Sequence, residues 1–385
     1  MVIGVDLRPI NTGEKSGVEE YTINLLSHLF FIDKKNQYKL FLNSFSAPRL
    51  NFKKLKLLPN VKLCFFSYPN KILNSAFAFL KYPRVDEMLK GVDLFFSPNL
   101  IFTNLSPQCK QIVTFHDLSF ERHPEFFSWK RRLWHQFVLP RSAAQRAAGI
   151  IAVSCSTRFD LKKLYKIPHH KIRVIHSGIL KRFKPRSKNH PSVVSVRQKY
   201  NLPPNFVLYL GTLEPRKNLE GLILAFNKFK RRYKTQYKLV IAGRPGWMYH
   251  NVYKLAGKSP FNRDIMFIGF ISVQHKPYLY NLADLFVYPS FYEGFGFPPL
   301  EAMASGVPVL SSNISSLPEV IGEAGILIDP YNVNEISEGI KFVLFNSRLK
   351  DRLIKKGVAR AAEFSWSECA RATLSFFEEI NQASL

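Results

Sequence analysis

Short runs that are apolar at consecutive positions alternate with stretches of helical spacing, and this constrains the 385-residue chain more than anything else. Ile150-Ile151-Ala152-Val153 is one such run. A strand with one wet face alternates apolar and polar residues. A strand apolar at every position must be covered on both faces, as in a parallel sheet layered between helices. In the first half the runs fall at 2–5, 38–42, 61–66, 94–96, 112–115, 149–153 and 172–175, with helical patterns such as 17–31 and 142–148 between them. In the second half they fall at 206–210, 238–242, 265–268, 285–288, 307–310 and 325–328, with helices at 219–229 and 334–345. This order predicts an α/β chain of two doubly wound, Rossmann-like domains facing across a cleft. The length agrees with two domains rather than one. We place the first at 1–182 and the second at 183–364, with the polar, basic stretch 180–204 as linker and lead-in. Helical patterns at 349–364 and 366–380 close the chain, so 365–385 is set apart as a terminal helix.

Charge and cysteine usage narrow the surroundings. The formal net charge is +27, and 32 of 55 Lys+Arg but only 12 of 28 Asp+Glu lie before residue 191. Such a field draws polyanions or anionic headgroups. No C2H2 spacing, RNP-like motif or basic-zipper heptad accompanies it, so nucleic acid is not the expected partner. Cys64, Cys109, Cys155 and Cys369 are scattered without a CxxC pair, as suits a reducing compartment. Residues 1–6 read as a strand rather than a leader, and no run approaches the roughly 18 apolar residues of a membrane span. The expected location is cytoplasmic, with peripheral contact at the inner face of the membrane as an open extension. Trp129, Lys130, Arg131, Arg132, Trp134, Arg141 and Arg146 suit an interfacial contact, or equally a solvated basic face with core aromatics. The run Lys53-Lys54-Leu55-Lys56-Leu57-Leu58 reads the same two ways.

Ligands of open α/β sheets bind at the carboxyl ends of the strands, so the residues there are the candidates. The richest stretch is 291–309, which begins Phe-Tyr-Glu-Gly-Phe-Gly-Phe-Pro-Pro-Leu-Glu. It joins a strand to a helix whose first amides have no helical partner. Gly294 and Gly296 let the backbone approach a ligand. Pro298 and Pro299 suit a first turn. Glu293 and Glu301 flank a donor-rich pocket for an anion or sugar oxygens. Gly211-Thr212-Leu213-Glu214-Pro215-Arg216-Lys217-Asn218 ends another strand, and its cationic pair at a helix entrance suits a diphosphate. Its spacing is neither a Walker A loop nor GxGxxG. Gly243, Gly269 and Phe270 follow the next two strands, and Leu300 accompanies Glu301. In the first half His116, Asp117 and Ser154 stand at strand ends, and His116 can donate to a sugar hydroxyl or move a proton. Lys15-Ser16-Gly17 opens the first helix, where Gly17 brings amides toward a phosphate or Ser16 simply caps. No Asp pair at i, i+2 and no metal-ligand cluster occurs, so no metal is expected. No GxSxG elbow occurs either, which disfavours a serine hydrolase.

Together these segments resemble the family-4 retaining glycosyltransferases of the GT-B type, also called glycosyl transferases group 1. The resemblance runs nearly end to end. It is carried by Glu293 to Glu301 (E-x7-E), 211–218, His116-Asp117, Val153-Ser154, His176-Ser177-Gly178 and the Gly17 loop. It implies a nucleotide-sugar site in the second domain, an acceptor site in the first, and a terminal helix that crosses back to the first. Glu293 then accepts from donor-sugar hydroxyls, with the Phe295 and Gly296 amides against sugar and phosphate. Glu301 binds the ribose, Arg216 and Lys217 neutralise the diphosphate, His116 contacts the transferred sugar, and Gly17 closes on the phosphate. Many relatives carry Gly-Arg-Tyr after the glycine loop; here Glu19-Glu20-Tyr21 stands instead, so no matching cation accompanies Gly17. The wording is most similar to bacterial mannosyltransferases of surface-polysaccharide and lipopolysaccharide assembly. The expected reaction is retaining, metal-free transfer of a hexose to a glycan or lipid-linked acceptor, with GDP-mannose as first donor and UDP-sugars open. A sugar-nucleotide epimerase, a phosphorylase, or a basic nucleic-acid or membrane-surface protein are the alternatives.

Overall fold

A computed structural model of the chain describes residues 1–10, 17–44 and 58–383. Residues Lys15 and Ser16 and most of the 53–58 basic run lie outside them. The chain divides into two compact units: Met1–Arg122 with Trp129–Gly178 and Ser365–Leu385, and His123–Ser128 with Ile179–Phe364.

The first unit is built on a parallel sheet, seven-stranded among the described residues. Its strands are β1 (Val2–Asp6), β2 (Gln37–Asn43), β3 (Val61–Phe66), β4 (Leu94–Ser97), β5 (Lys110–Phe115), β6 (Gly149–Ala152) and β7 (Ile172–Val174). They lie in the order β3-β2-β1-β4-β5-β6-β7. Every residue of β4 and β6 is buried, which is why the runs 94–96 and 150–152 are apolar without a break. On one face pack the helices Gly17–Ile32 and Trp366–Gln382. Phe377 meets Phe96 of β4 with ring centroids 5.0 Å apart. Phe376 lies so close to Gly149 that a Cβ there would stand 2.7 Å from its ring. Lys110 caps the last turn of Trp366–Gln382, donating to the carbonyls of Ile380, Asn381 and Ala383 at 3.1, 3.0 and 2.6 Å. A cation suits that end of a helix dipole.

The second unit carries β8 (Phe206–Leu210), β9 (Lys238–Ala242), β10 (Ile265–Gly269), β11 (Leu285–Tyr288), β12 (Val309–Ser312) and β13 (Ile326–Ile328). All pairs are parallel, in the order β10-β9-β8-β11-β12-β13. The chain leaves β8 toward one edge and β11 toward the other. The loops after these two neighbouring strands therefore diverge and leave a crevice, the usual ligand position of such sheets. The expected α/β, doubly wound class is what the chain adopts in both halves.

Local boundaries differ where backbone chemistry intervenes. The strand expected at 307–310 begins at Val309, because Pro308 has no N–H to give the ladder. The stretch 180–204 is not bare linker: His190 caps a helix at Pro191–Lys199, whose Val193 and Val196 are buried. The units part at Gly178, where a Cβ would collide with the Trp366 amide at 2.1 Å, rather than at residue 182. His123–Ser128 groups with the second unit, where Phe126 stacks on Phe291 at 5.6 Å and accepts from the Trp247 indole N–H.

Candidate active site

The β8 and β11 loops of the second unit bring four charges together. After β8 the backbone turns through Pro215–Lys217, and Asn218 caps the helix Leu219–Tyr233 by accepting from Gly221 N–H. That turn aims Arg216 and Lys217 at the β11 loop. The Lys217 ammonium donates to Glu293 Oε1 at 2.5 Å and to Tyr288 Oη at 2.8 Å. The Arg216 guanidinium donates to Glu293 Oε2 at 3.2 Å, to the Tyr292 carbonyl at 2.7 Å and to Glu214 Oε1 at 2.8 Å. Ser290 donates to Glu293 Oε1 at 2.7 Å. Two cations and two carboxylates thus balance in a buried cluster.

Burial raises the Glu293 carboxyl, but Arg216, Lys217 and the hydrogen bonds outweigh it and hold the group down at about 2. Burial and the neighbouring Arg216 pull the Lys217 ammonium below the ordinary lysine range, and Glu293 opposes that shift. A carboxylate has about four acceptor positions. The described contacts fill two on Oε1 and one on Oε2 and leave one. Sequence reasoning paired the cations with a ligand and missed that Glu214 and Glu293 already hold them.

The glycine-rich turn is pinned from below. Ser316 Oγ donates to the carbonyls of Glu293 and Phe295, both at 2.9 Å, and Ser315 Oγ accepts from Glu293 N–H at 3.0 Å. Gly296 takes φ +108 as it enters the helix Phe297–Ala304, a conformation that side chains resist. Gly294 and Phe295 are buried in this turn, and Leu300 is fully buried. Glu301, on the same helix, joins a second cluster, accepting from Lys276 Nζ at 2.6 Å and Tyr280 Oη at 2.9 Å. Lys276 and Tyr280 were not anticipated; their only sequence signal is helical spacing.

The remaining donor-side candidates line the strand ends. Gly211 N–H donates to the Ala242 carbonyl and Gly243 N–H to the Gly269 carbonyl. A Cβ on Gly243 would stand 1.8 Å from Gly211 O, so close backbone packing already accounts for that glycine. Thr212 is exposed, its carbonyl accepting from Tyr209 Oη at 3.2 Å. Phe270 is exposed beneath the Arg244 guanidinium, 4.1 Å from its ring centroid.

In the first unit His116 follows β5 with Nε2 2.9 Å from the Pro98 carbonyl, which can only accept. The proton therefore sits on Nε2 and leaves Nδ1 as acceptor, so the donor role expected for His116 is already filled. Burial lowers its basicity, and Tyr21 abuts it edge-on at 4.8 Å. Asp117 accepts from Ser119 N–H and Oγ at 2.9 and 2.6 Å, capping the helix Ser119–Arg122. Ser154 is fully buried and caps the helix Cys155–Tyr165 through Thr157 N–H. Ser154 is thus engaged locally, while the contacts of Asp117 fall on Oδ1 alone. Gly17 is exposed at the start of its helix. Among the described residues no group of three or more His, Cys, Asp or Glu is placed to hold a metal.

Comparison with known proteins agrees with this architecture. Residues 195–360 match the model of the glycosyl transferases group 1 and residues 15–180 that of Glycosyltransferase Family 4. The chain is 31% identical over 370 residues to the O-antigen chain mannosyltransferase B of Escherichia coli, covering 94% of this chain and 96% of that one. A sucrose-phosphate synthase from Thermosynechococcus elongatus superposes with a TM-score of 0.76 at 20% identity, over the whole of both chains. An Anabaena protein solved with UDP-glucose gives 0.73 at 18% identity, over 98% of this chain and all of that one.

Proposed function

We propose that this chain, which belongs to the family-4 glycosyltransferases with a group 1 transferase domain, moves mannose from GDP-mannose onto a growing surface glycan. That it is a glycosyltransferase with the GT-B fold follows from its family. The donor and acceptor are our reading. The name of the Escherichia coli relative supports mannose, while the UDP-glucose complex of the Anabaena protein keeps UDP-sugars as the competing donors.

The observation that carries the mechanism is the Glu214–Arg216–Lys217–Glu293 cluster between the β8 and β11 loops. In the reaction the bond from the sugar anomeric carbon to the diphosphate oxygen breaks, and its electron pair leaves on the diphosphate. Arg216, Lys217 and the Phe295 and Gly296 amides of the glycine-rich turn lie where that charge develops. Being held beforehand, they reorganise little, and such stabilisation is commonly worth about 3 kcal/mol per donor. In this proposal the cations do the work without a metal. Glu293 offers its open acceptor position to a donor-sugar hydroxyl, and Glu301 takes the ribose. The acceptor oxygen bonds to the anomeric carbon on the face the diphosphate leaves. Its proton passes to the departing phosphate, which gives retention.

The test is transfer across a panel of GDP- and UDP-sugars, with product stereochemistry read by NMR. The proposal expects GDP-mannose to lead and an α product from the α donor. Preference for a UDP-sugar would overturn the donor, and inversion would overturn the stereochemical course.

A further inference from the structure

The helix Trp129–Val138 shows its apolar side to solvent. Only His135 and Val138 face the body of the first unit; every other residue is exposed. Trp129 is 66% exposed, Phe137 58%, Trp134 45% and Leu133 41%. At about 100° per residue these four span one side of the helix, with Lys130 among them and Arg131 and Arg132 beside them. No acidic residue occurs from Trp129 to Arg141. The stretch Asn70–Tyr82 repeats this chemistry. Ile72, Phe79, Leu80 and Tyr82 are each at least 65% exposed, Lys71 and Lys81 flank them, and again no acid is present.

Both elements lie on the same face of the sheet. Leu73 and Phe77 pack with Phe41 and Phe95. His135 stacks at 4.1 Å on Phe120, which packs against the core cluster that contains Val113 and Phe115. Phe95 pairs with Gln111 in the parallel register, so Phe95, Val113 and Phe115 share a side, opposite the Phe96–Phe377 contact.

We propose that this face docks on an anionic lipid bilayer, with Trp129, Leu133, Trp134 and Phe137 entering the headgroup region and Lys130, Arg131 and Arg132 contacting lipid phosphates. Charge complementarity selects the occupant. Aromatic side chains favour the bilayer interface, and each nearby cation adds attraction to an anionic leaflet. Two such elements on one face suit an extended surface better than a groove-bound peptide. No helix among the described residues is long and apolar enough to cross a membrane, so the contact is peripheral. The inference is independent of donor identity.

The experiment is sedimentation of the full chain with phosphatidylcholine vesicles, with or without phosphatidylglycerol. Three proteins are compared: the natural chain, Lys130→Gln/Arg131→Gln/Arg132→Gln, and Trp129→Ser/Trp134→Ser/Phe137→Ser. Thermal melts and transfer to a soluble acceptor verify that both variants are folded. The expected result is binding that requires phosphatidylglycerol, weakens with salt and falls at least tenfold in each variant, with soluble transfer unchanged. Binding that ignores phosphatidylglycerol, or that both variants retain, overturns the proposal. So does a natural chain that self-associates and becomes monomeric in the aromatic variant, because the face is then an interface between copies.

Discussion

Replacing Glu293 by Gln keeps the shape of the β11 loop and removes one buried charge. The natural carboxyl is held at about 2 against an ordinary 4.5. That lowering corresponds to about 3 kcal/mol of stabilisation at neutral pH. The sign follows from the lowered pKa: the contribution is complete above the unfolded value and fades as pH falls toward the folded one. Less than about half of it remains at pH ~3. Glu293→Gln lacks it throughout, and buried Lys217 and partly buried Arg216 lose their shared counter-charge. For a unit of this size about 3 kcal/mol lowers the melting temperature by roughly 6 to 12 °C. Urea unfolding of both proteins from neutral to acid pH, followed by Trp fluorescence, measures the gap directly. The gap should be widest near neutrality and shrink by more than half at the acid end. A gap that is absent at neutrality, or constant with pH, would refute the charge cluster as described.

Lys217→Ala and Glu293→Ala should each reduce transfer well over tenfold, and near-normal turnover in both would sink the site assignment. Tyr280→Phe removes one donor to Glu301; the donor KM should rise about tenfold with kcat little changed, which steady-state kinetics will separate. Gly243→Ala places a methyl 1.8 Å from Gly211 O at φ +147. It should cost at least about 3 kcal/mol or leave the second unit unfolded in a thermal melt. Lys110→Ala uncovers two carbonyls of Trp366–Gln382 and that of Ala383 just beyond it; hydrogen exchange over the last turn should rise by a factor consistent with about 1–2 kcal/mol.

The fold was legible because strands buried on both faces leave an unmistakable trace: Ile150 to Ala152 and Phe206 to Leu210 are apolar without a break. What the sequence concealed was local or long-range. The helix Pro191–Lys199 was hidden in a basic, proline-containing stretch whose only apolar cue is Val193, Val194 and Val196. Pro308 delayed β12 through a missing donor that apolar patterning does not register. At the site, residue types were readable but partners were not. Lys217 and Glu293 are 76 positions apart and meet only because β8 and β11 are neighbours. Sequence showed Arg216, Lys217, Glu293 and Glu301 in separate motifs; the sheet order joins the first three, and Glu214 completes the charge balance. Ser154 and Asp117 stood at promising strand ends, yet each caps the helix that follows, a role a strand-end serine or aspartate takes readily.

In the mechanism we propose, the Arg216–Lys217 pair, braced by Glu293, grips a diphosphate. Calorimetric titration of GDP into the natural chain and into Arg216→Ala/Lys217→Ala tests it most directly. The natural chain should bind saturably and the variant at least a hundredfold more weakly, with the variant still folded. Equal affinity in the two would contradict it.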